Sequence, residues 1–174
     1  SKFAIAVMIV ILHNIRSLHN VGSIFRTADA AGIKKIYLCG ITPAPVDRFG
    51  KPRVQFTKVS LGAEKSIEWD ASARSARATA KLLENLKREG YKILAVEQSK
   101  NSIPYYKIER RGAMTRHSGL RVALVLGNEI KGLPPVILKK SDKILEIPMR
   151  GKKESLNVAV AFGIAIYAIT SPRS

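Results

Sequence analysis

The sequence predicts a single α/β domain with a mostly parallel sheet and helices on both of its faces. Short apolar runs alternate with stretches of helical periodicity along the whole chain. The first run, residues 3–12, is apolar throughout, as in a parallel strand buried on both faces. With 174 residues, 46% of them hydrophobic, the chain suits one domain with a real core. No repeat or linker divides it, so residues 1–174 are predicted to form that one domain.

A helix is predicted to follow the first strand, over about residues 21–31. Asn20 is a good N-cap for this helix, and Gly32 suits the position just after its end. Its apolar face repeats at the spacing of one helical stripe and consists of Val21, Ile24, Phe25 and Ala28.

The middle of the chain continues the alternation of strands and helices. Strands are predicted over residues 35–39 and 92–96, where short apolar runs recur. A basic, proline-containing loop over residues 40–53 separates the first of these strands from the helices, and loops of this length often carry function. A short helix is predicted within residues 57–69 and a longer one over 72–89.

The C-terminal part contains two further strands and two helices. Residues 101–120 are irregular and basic, and the next strand spans 121–126. A short helix over 134–140 begins with proline, which the first turn of a helix tolerates. The last strand is predicted over 143–147, and a nearly all-apolar last helix over 156–170.

The formal net charge of +17, from 30 Lys and Arg against 13 Asp and Glu, is extreme for this length. It predicts a polyanionic partner, and RNA or DNA is favoured over an anionic membrane. A generally basic surface would give the same count of charges.

The single cysteine, Cys39, lies in an apolar run and is interpreted as a buried thiol. No His/Cys/carboxylate group has zinc spacing, so no metal is expected. Residues 3–12 lack a cleavage site after them, and we expect a cytoplasmic protein without a membrane span.

Polar side chains gather where the predicted strands end: Asn14, Asn20 and Arg26, then Asn128 and Glu129, then Ser155 and Asn157. Each has a simpler interpretation as a helix cap or a solvated residue. Together they favour a site, because open parallel sheets bind ligands at the carboxyl ends of their strands. No G-x-G-x-x-G after the first strand, no P-loop and no G-x-S-x-G elbow is present, which disfavours Rossmann enzymes, P-loop NTPases and α/β-hydrolases.

Three segments resemble, in order, the motifs of the SpoU/TrmH branch of the SPOUT RNA methyltransferases. HNIRSLHNVGSIFRTADAAG, residues 13–32, resembles motif 1, and LVLGNEIKGL, residues 124–133, resembles motif 2. IPMRG, residues 147–151, followed by SLNVAVA, residues 155–161, resembles motif 3. The resemblance covers nearly the whole chain.

This resemblance implies an S-adenosylmethionine-dependent enzyme that methylates a ribose 2′-hydroxyl in tRNA or rRNA. It also implies a C-terminal trefoil knot, a rare exception to unknotted topology. The implied catalytic residues are Arg26, Asn20, Glu129 and Asn157. The implied cofactor-binding residues are Gly127, Ile147, Leu156, Met149, Gly151, Ser155, Glu97 and Gln98.

The RNA substrate is expected to contact basic and polar residues near the motifs. The candidates are Asn14, Arg16, Arg48, Lys51, Arg53, Arg110, Arg111, Arg116, Arg150, Lys152 and Lys153, although about half of such charges are usually scattered and solvated. No separate RNA-binding domain is expected. Members of this branch are usually homodimers, and the last helix is a candidate interface through Val158, Phe162, Ile166 and Tyr167, unless it is buried within one subunit.

Two other functions remain open from the sequence. A non-catalytic RNA-binding protein with the same fold would explain the charge alone. A base methyltransferase is less consistent, because the Asn and Arg of motif 1 belong to the ribose-modifying branch. The Ala/Ser/Arg-rich stretch at residues 70–78 suggests no function.

Overall fold

A computed structural model describes residues 7–108 and 120–170. Its sheet is made of β1 (Val7–His13), β2 (Lys35–Cys39), β3 (Glu68–Asp70), β4 (Tyr91–Val96), β5 (Ile103–Pro104), β6 (Arg121–Leu126) and β7 (Lys143–Glu146). The strand order is β3-β2-β1-β6-β4-β7-β5, and all the paired neighbours are parallel. The predicted α/β fold with a parallel sheet is therefore confirmed.

Helices pack on both faces of the sheet. They are α1 (Leu18–Ala30), α2 (Val54–Ser60), α3 (Ala63–Ser66), α4 (Ala76–Arg88), α5 (Pro135–Leu138) and α6 (Val158–Thr170). Val10 and Leu12 of β1 join the core under α1, α2 and α6, whereas Ile9 and Ile11 join the core under α4 and α5. Because successive side chains of a strand point to opposite faces, the continuous apolar run of β1 is buried on both faces of the sheet. None of the described helices is both long and apolar enough to cross a membrane.

The boundary between β1 and β6 is the place where the sheet reverses its direction of growth. The strands that precede residue 71 lie on one side of it, and those that follow residue 90 lie on the other. Leu12 pairs with Leu126, so the segments that follow these two strands leave the sheet side by side. Such a switch point opens a crevice at the carboxyl ends of the strands.

Two helices begin elsewhere than the sequence suggests, because serines cap them. The first helix starts at Leu18 rather than near residue 21, since Ser17 accepts the Asn20 N–H through its hydroxyl. The prediction of Asn20 as N-cap was wrong, whereas Gly32 does follow the helix, with φ of 78°. Helix α4 starts at Ala76 rather than at residue 72, since Ser75 caps it in the same way.

The Ala/Ser/Arg-rich stretch before α4 lies against the end of β2. Arg74 Nη1 donates to the carbonyl oxygens of Leu38 and Thr42 at 2.9 and 3.0 Å, and Ala73 accepts from the Gly40 N–H. This part of the chain therefore supports the loop that follows β2.

Local sequence did not reveal the short edge strands β3 and β5, which are defined by pairing with β2 and β7. Residues 54–66 form two helices instead of one, because Leu61 and Gly62 both adopt positive φ between them. Helix α6 begins at Val158 rather than at residue 156. Three candidate RNA contacts, Arg110, Arg111 and Arg116, lie outside the described residues, and the trefoil knot stays a prediction.

Candidate active site

The carboxylate of Glu129 joins the turn before α1 to the loop after β6. Both carboxylate oxygens accept the Arg16 N–H at 3.1 Å, and Oε1 also accepts the Ser17 N–H at 3.1 Å. The donors are backbone groups next to a helix N-terminus, where a negative charge is stabilised. Glu129 thus holds the turn that carries motif 1 in place.

Two asparagines extend this contact across the crevice. Asn20 Nδ2 lies 3.4 Å from Glu129 Oε1, and Asn157 Nδ2 donates to Asn20 Oδ1 at 3.1 Å. Asn157 also caps α6, because its Oδ1 accepts the Ala159 N–H at 2.9 Å. The structure therefore brings three of the four predicted catalytic residues, Asn20, Glu129 and Asn157, into one hydrogen-bonded chain, called the Asn–Glu–Asn network below.

The environment of Glu129 keeps its carboxylate ionised. Burial alone would raise its pKa, but hydrogen bonds from the Arg16 and Ser17 backbone and from the Asn20 side chain hold the pKa below the usual 4.5. A carboxylate whose oxygens are occupied by N–H donors, and whose pKa is lowered by them, is a poor proton acceptor. Its geometry suits positioning of the turn and of Asn20.

The fourth predicted catalytic residue, Arg26, is exposed on α1 and lies apart from this network. At 100° per residue, its side chain is rotated about 120° around the helix from that of Asn20. The side chain of Arg26 forms no hydrogen bond or ion pair with another residue in the described part of the chain. Its guanidinium is therefore available to an external ligand.

Asn14, a predicted substrate contact, connects three loops at the end of β1. Its Oδ1 accepts the Ile41 N–H at 3.0 Å, and its carbonyl oxygen accepts from Asn128 Nδ2 at 2.9 Å. Asn14 has a φ of 58°, which asparagine tolerates better than most residues. A Cβ at Gly40 would lie 1.9 Å from Asn14 Oδ1, so Gly40 is required for this contact. Asn128 was among the polar residues predicted to gather at the strand ends, but no catalytic or binding role was assigned to it.

Gly127 and Glu97, both predicted to bind the cofactor, make internal contacts in this structure. A Cβ on Gly127 would lie 2.7 Å from the carbonyl carbon of Gly132 and from Leu133 Cγ. Glu97 Oε2 accepts the Leu133 N–H at 2.9 Å. The requirement for glycine at position 127 therefore comes from the folding of the motif 2 loop upon itself.

A cavity of about 430 Å³ opens beside the end of β7. Its lining residues are Gln98, Glu146, Ile147, Pro148, Met149, Gly151, Lys152, Lys153 and Glu154. Four predicted cofactor ligands, Gln98, Ile147, Met149 and Gly151, are among them, whereas Ser155 and Leu156 are exposed outside it. Gln98 Nε2 donates to the Glu154 carbonyl oxygen at 2.7 Å and so joins the two walls.

The cavity has the character of a small-molecule site. Its volume falls within the usual range for ligand pockets, and its lining combines three apolar side chains, of Ile147, Pro148 and Met149, with a larger number of charged and amide side chains. No group within the described ranges hydrogen-bonds to the backbone of residues 149–153, so these amides and carbonyls can bind a ligand.

A second cavity, of about 510 Å³, is an open groove between α1 and α6. Its lining residues are His19, Asn20, Ser23, Thr27, Asn157, Ala159, Val160 and Gly163. The Asn20–Asn157 pair therefore faces this groove. The remaining residues are small or polar, apart from Val160, which is 52% exposed.

The predicted interface residues of α6 are mostly buried within the chain. Val158, Phe162 and Ile166 belong to the core, so for these three residues the alternative of burial within one subunit holds. Tyr167 is 47% exposed and continues the stripe that begins at Val160. The stripe Val160, Gly163, Ile164 and Tyr167, called the outer face of α6 below, has the spacing of one helical face.

The predicted RNA contacts differ in how free their side chains are. Arg53 is half-buried, and its Nε donates to the Val46 carbonyl oxygen at 3.2 Å. The exposed ones are Arg16, Arg48, Lys51, Arg150, Lys152 and Lys153. These six retain charges that an anionic ligand can reach.

Comparison with known proteins agrees with the order of the three motifs. The model of the SpoU rRNA Methylase family matches residues 7–167. The chain belongs to the SpoU rRNA methylase family. The parallel α/β fold agrees with this membership.

Relatives within the SpoU family act on different RNAs. The tRNA (guanosine(18)-2′-O)-methyltransferase of Aquifex aeolicus is 32% identical over 92% of this chain and 67% of its own length. The 23S rRNA (guanosine-2′-O-)-methyltransferase of Escherichia coli K12 is 29% identical over 95% and 60%. The crystal structure of an AdoMet-bound rRNA methyltransferase from Sinorhizobium meliloti superposes with a TM-score of 0.76, at 27% identity, over 94% of this chain and 55% of that one. The chain thus spans roughly two thirds or less of each relative's length.

Proposed function

We propose that this protein is an S-adenosylmethionine-dependent methyltransferase that methylates a ribose 2′-hydroxyl in tRNA or rRNA. The observation that carries the proposal is the Asn–Glu–Asn network at the switch point of the sheet, with a ligand-sized cavity at the neighbouring strand ends. The activities of the two SpoU relatives, both 2′-O-methyltransferases, support the same reaction.

The cofactor would bind in the 430 Å³ cavity. When bound, it supplies a methyl group on a sulfonium, which needs no phosphate cradle. Gln98 and the backbone of residues 147–151 offer hydrogen bonds to a neutral ring, and Met149 offers apolar contact. Four residues that do not line this cavity also remain proposed cofactor contacts: Glu97, Gly127, Ser155 and Leu156.

The residues of the network would prepare the RNA rather than exchange its proton. Glu129 fixes the turn at Arg16 and Ser17, and Asn20 and Asn157 hold each other across the groove. Arg26, which is exposed and normally locked in its protonated form, would act with an RNA phosphate to activate the ribose hydroxyl. Positioning and exclusion of water would supply much of the rate.

We further infer that the working form is a homodimer in which α6 of one copy packs on the other. The outer face of α6 carries no charge and exposes Val160 and Tyr167 beside the groove. Unpartnered apolar surface of this kind is usually covered by another protein surface. Arg26 does not contact the Asn–Glu–Asn network of its own chain. A second copy that packs at the groove would supply the contacts that complete the catalytic site. The trefoil knot, which the resemblance implies, and the cytoplasmic location, which was expected from the lack of a cleavage site and of a membrane span, both stay predictions.

The reaction is tested with labelled S-adenosylmethionine and separate pools of unmodified tRNA and rRNA. Label in alkali-resistant dinucleotides is expected, because a methylated 2′-oxygen blocks alkaline cleavage of the adjacent phosphodiester. Label in ordinary mononucleotides would mean base methylation and overturn the proposed reaction. If the protein bound RNA but neither bound cofactor nor transferred label, the alternative of an RNA-binding protein would replace it.

The role of Arg26 is tested by Arg26→Ala. The side chain is exposed and without a partner among the described residues, so stability should stay within about 0.5 kcal/mol while methyl transfer is lost. Arg77→Ala, at an exposed position on α4, is the matched control and should retain activity. Normal methylation by Arg26→Ala would remove Arg26 from the mechanism.

A further inference from the structure

The basic loop after β2 ends in a tightly built hairpin over residues 46–52. Val46 and Pro52 form an antiparallel bridge, and the Asp47 N–H donates to the Lys51 carbonyl oxygen at 2.8 Å. Asp47 Oδ1 accepts the N–H groups of Phe49 and Lys51 at 2.8 and 3.0 Å. The shape of the hairpin is therefore fixed by its own backbone and by one carboxylate.

The tip of this hairpin presents an aromatic ring to solvent. Phe49 is 72% exposed, and the guanidinium carbon of Arg48 lies 4.7 Å from the centre of its ring. Phe49 belongs to neither hydrophobic core. Since the fold gains little from an exposed phenyl ring, a ligand that stacks on aromatic faces would explain it.

The hairpin is anchored to the same edge of the sheet as the Asn–Glu–Asn network. At its start, the Ile41 N–H donates to Asn14 Oδ1, and Thr42 Oγ1 accepts the Ile15 N–H at 3.1 Å. At its end, Arg53 donates from Nε to the Val46 carbonyl oxygen and from its backbone to Pro45. The loop that carries the hairpin is therefore tied to the segment after β1 only at its start, through Ile41 and Thr42. Its other end is closed on Pro45 and Val46 of the same loop.

We propose that Phe49, flanked by Arg48, is a stacking platform for an unpaired base of the RNA substrate. This inference rests on the proposed function and adds a positioning contact to it. Arg48, whose guanidinium lies over the ring, and Lys51, two residues further along the hairpin, are exposed cations, whereas the only carboxylate of the hairpin, on Asp47, is used internally. Aromatic rings interleaved with cations suit single-stranded RNA, where bases stack and phosphates pair with Arg and Lys. Ile41 and Val54, which flank this loop, are also exposed, so a protein contact is the competing outcome that the test below distinguishes.

The stacking contact is tested with fluorescein-labelled oligouridylate, whose affinity is read from fluorescence anisotropy. Phe49→Ala should weaken binding about 5- to 150-fold, the range expected for one stacked base. The salt dependence of binding should not change, because no charge is removed, whereas Lys51→Ala should reduce its slope by about one. Leu61→Ala, which truncates another side chain that is 63% exposed, is the matched control and should bind normally.

Two further measurements identify the base as the stacking partner. Phe49→Trp should keep the affinity and show quenching of tryptophan fluorescence beyond that of the native Trp69. An oligomer of the same length without bases should bind the native protein and Phe49→Ala equally. If Phe49→Ala binds oligouridylate as tightly as the native protein does, the stacking role is refuted. If, in addition, Phe49→Ala sediments with a different mass from the native protein, the ring belongs to a protein contact. The methyl-transfer assay separates this outcome from failure of the proposed function. If the native protein transfers label from S-adenosylmethionine to RNA, the proposed methylation stands even when the stacking role is refuted. If it transfers no label, the methylation is refuted independently of Phe49.

Discussion

The most informative prediction concerns Glu129→Gln. The carboxylate binds the N–H groups of Arg16 and Ser17 at 3.1 Å and contacts Asn20 Nδ2 at 3.4 Å. A glutamine oxygen can replace only one carboxylate oxygen, and its amide nitrogen would face the Arg16 N–H as a second donor. Loss of charge from two good hydrogen bonds at a half-buried site should lower the free energy of unfolding by about 2 kcal/mol.

Urea unfolding measures this loss. With a slope of about 2 kcal/mol per molar urea, the midpoint should fall by about 1 M. Glu89→Gln removes an exposed charge at the end of α4 and should change the free energy by less than about 0.5 kcal/mol. Methyl transfer should fall with Glu129→Gln as well, because the turn that carries motif 1 is loosened.

The pH dependence distinguishes a charge effect from simple loss of packing. The pKa of Glu129 is held below 4.5 in the folded state, so its ionised form contributes stability above that pH. As the pH falls through the folded-state pKa, the native carboxylate becomes protonated and the gap between the native protein and Glu129→Gln should close. Equal midpoints at neutral pH, or a gap that is unchanged well below pH 4.5, would refute the reasoning.

Three further predictions concern other parts of the molecule. Gly127→Ala should lower the free energy of unfolding by at least about 1 kcal/mol, since its Cβ would lie 2.7 Å from neighbouring atoms. A Cβ at Gly151 would meet open space, so Gly151→Ala should leave that free energy unchanged and alter the cofactor affinity measured by calorimetry. Burial holds the pKa of His13 below 6.5, so the unfolding free energy should fall as the pH drops from 6.5 towards the folded-state pKa, and His13→Gln should flatten that slope in urea titrations. Tyr167→Glu on the outer face of α6 should convert a sedimenting dimer to monomer, and Leu61→Glu, at a similarly exposed site elsewhere, should not; the same mass for both variants would exclude that face as the interface.

The sequence predicted most of the elements because their patterns are local. The apolar run in β1 and the stripe Val21, Ile24, Phe25 and Ala28 in α1 follow from side-chain periods of two and 3.6 residues. The strand ranges 35–39 and 121–126 were predicted to the residue. The edge strands β3 and β5 escaped prediction because their pairing partners, rather than their composition, make them strands.

What the sequence determined by itself was the family and the identity of the polar residues at the strand ends, because motif order and residue type survive without coordinates. Tertiary structure alone decided how these residues are used. Only the pairing of β1 with β6 places Glu129 against the Arg16 N–H, more than a hundred residues away in the chain. Folding likewise turned Glu97 and Gly127 towards internal contacts and left Arg26 and Phe49 exposed. Long-range hydrogen bonds and packing depend on which distant segments become neighbours in the folded chain, and local sequence patterns do not determine those neighbours.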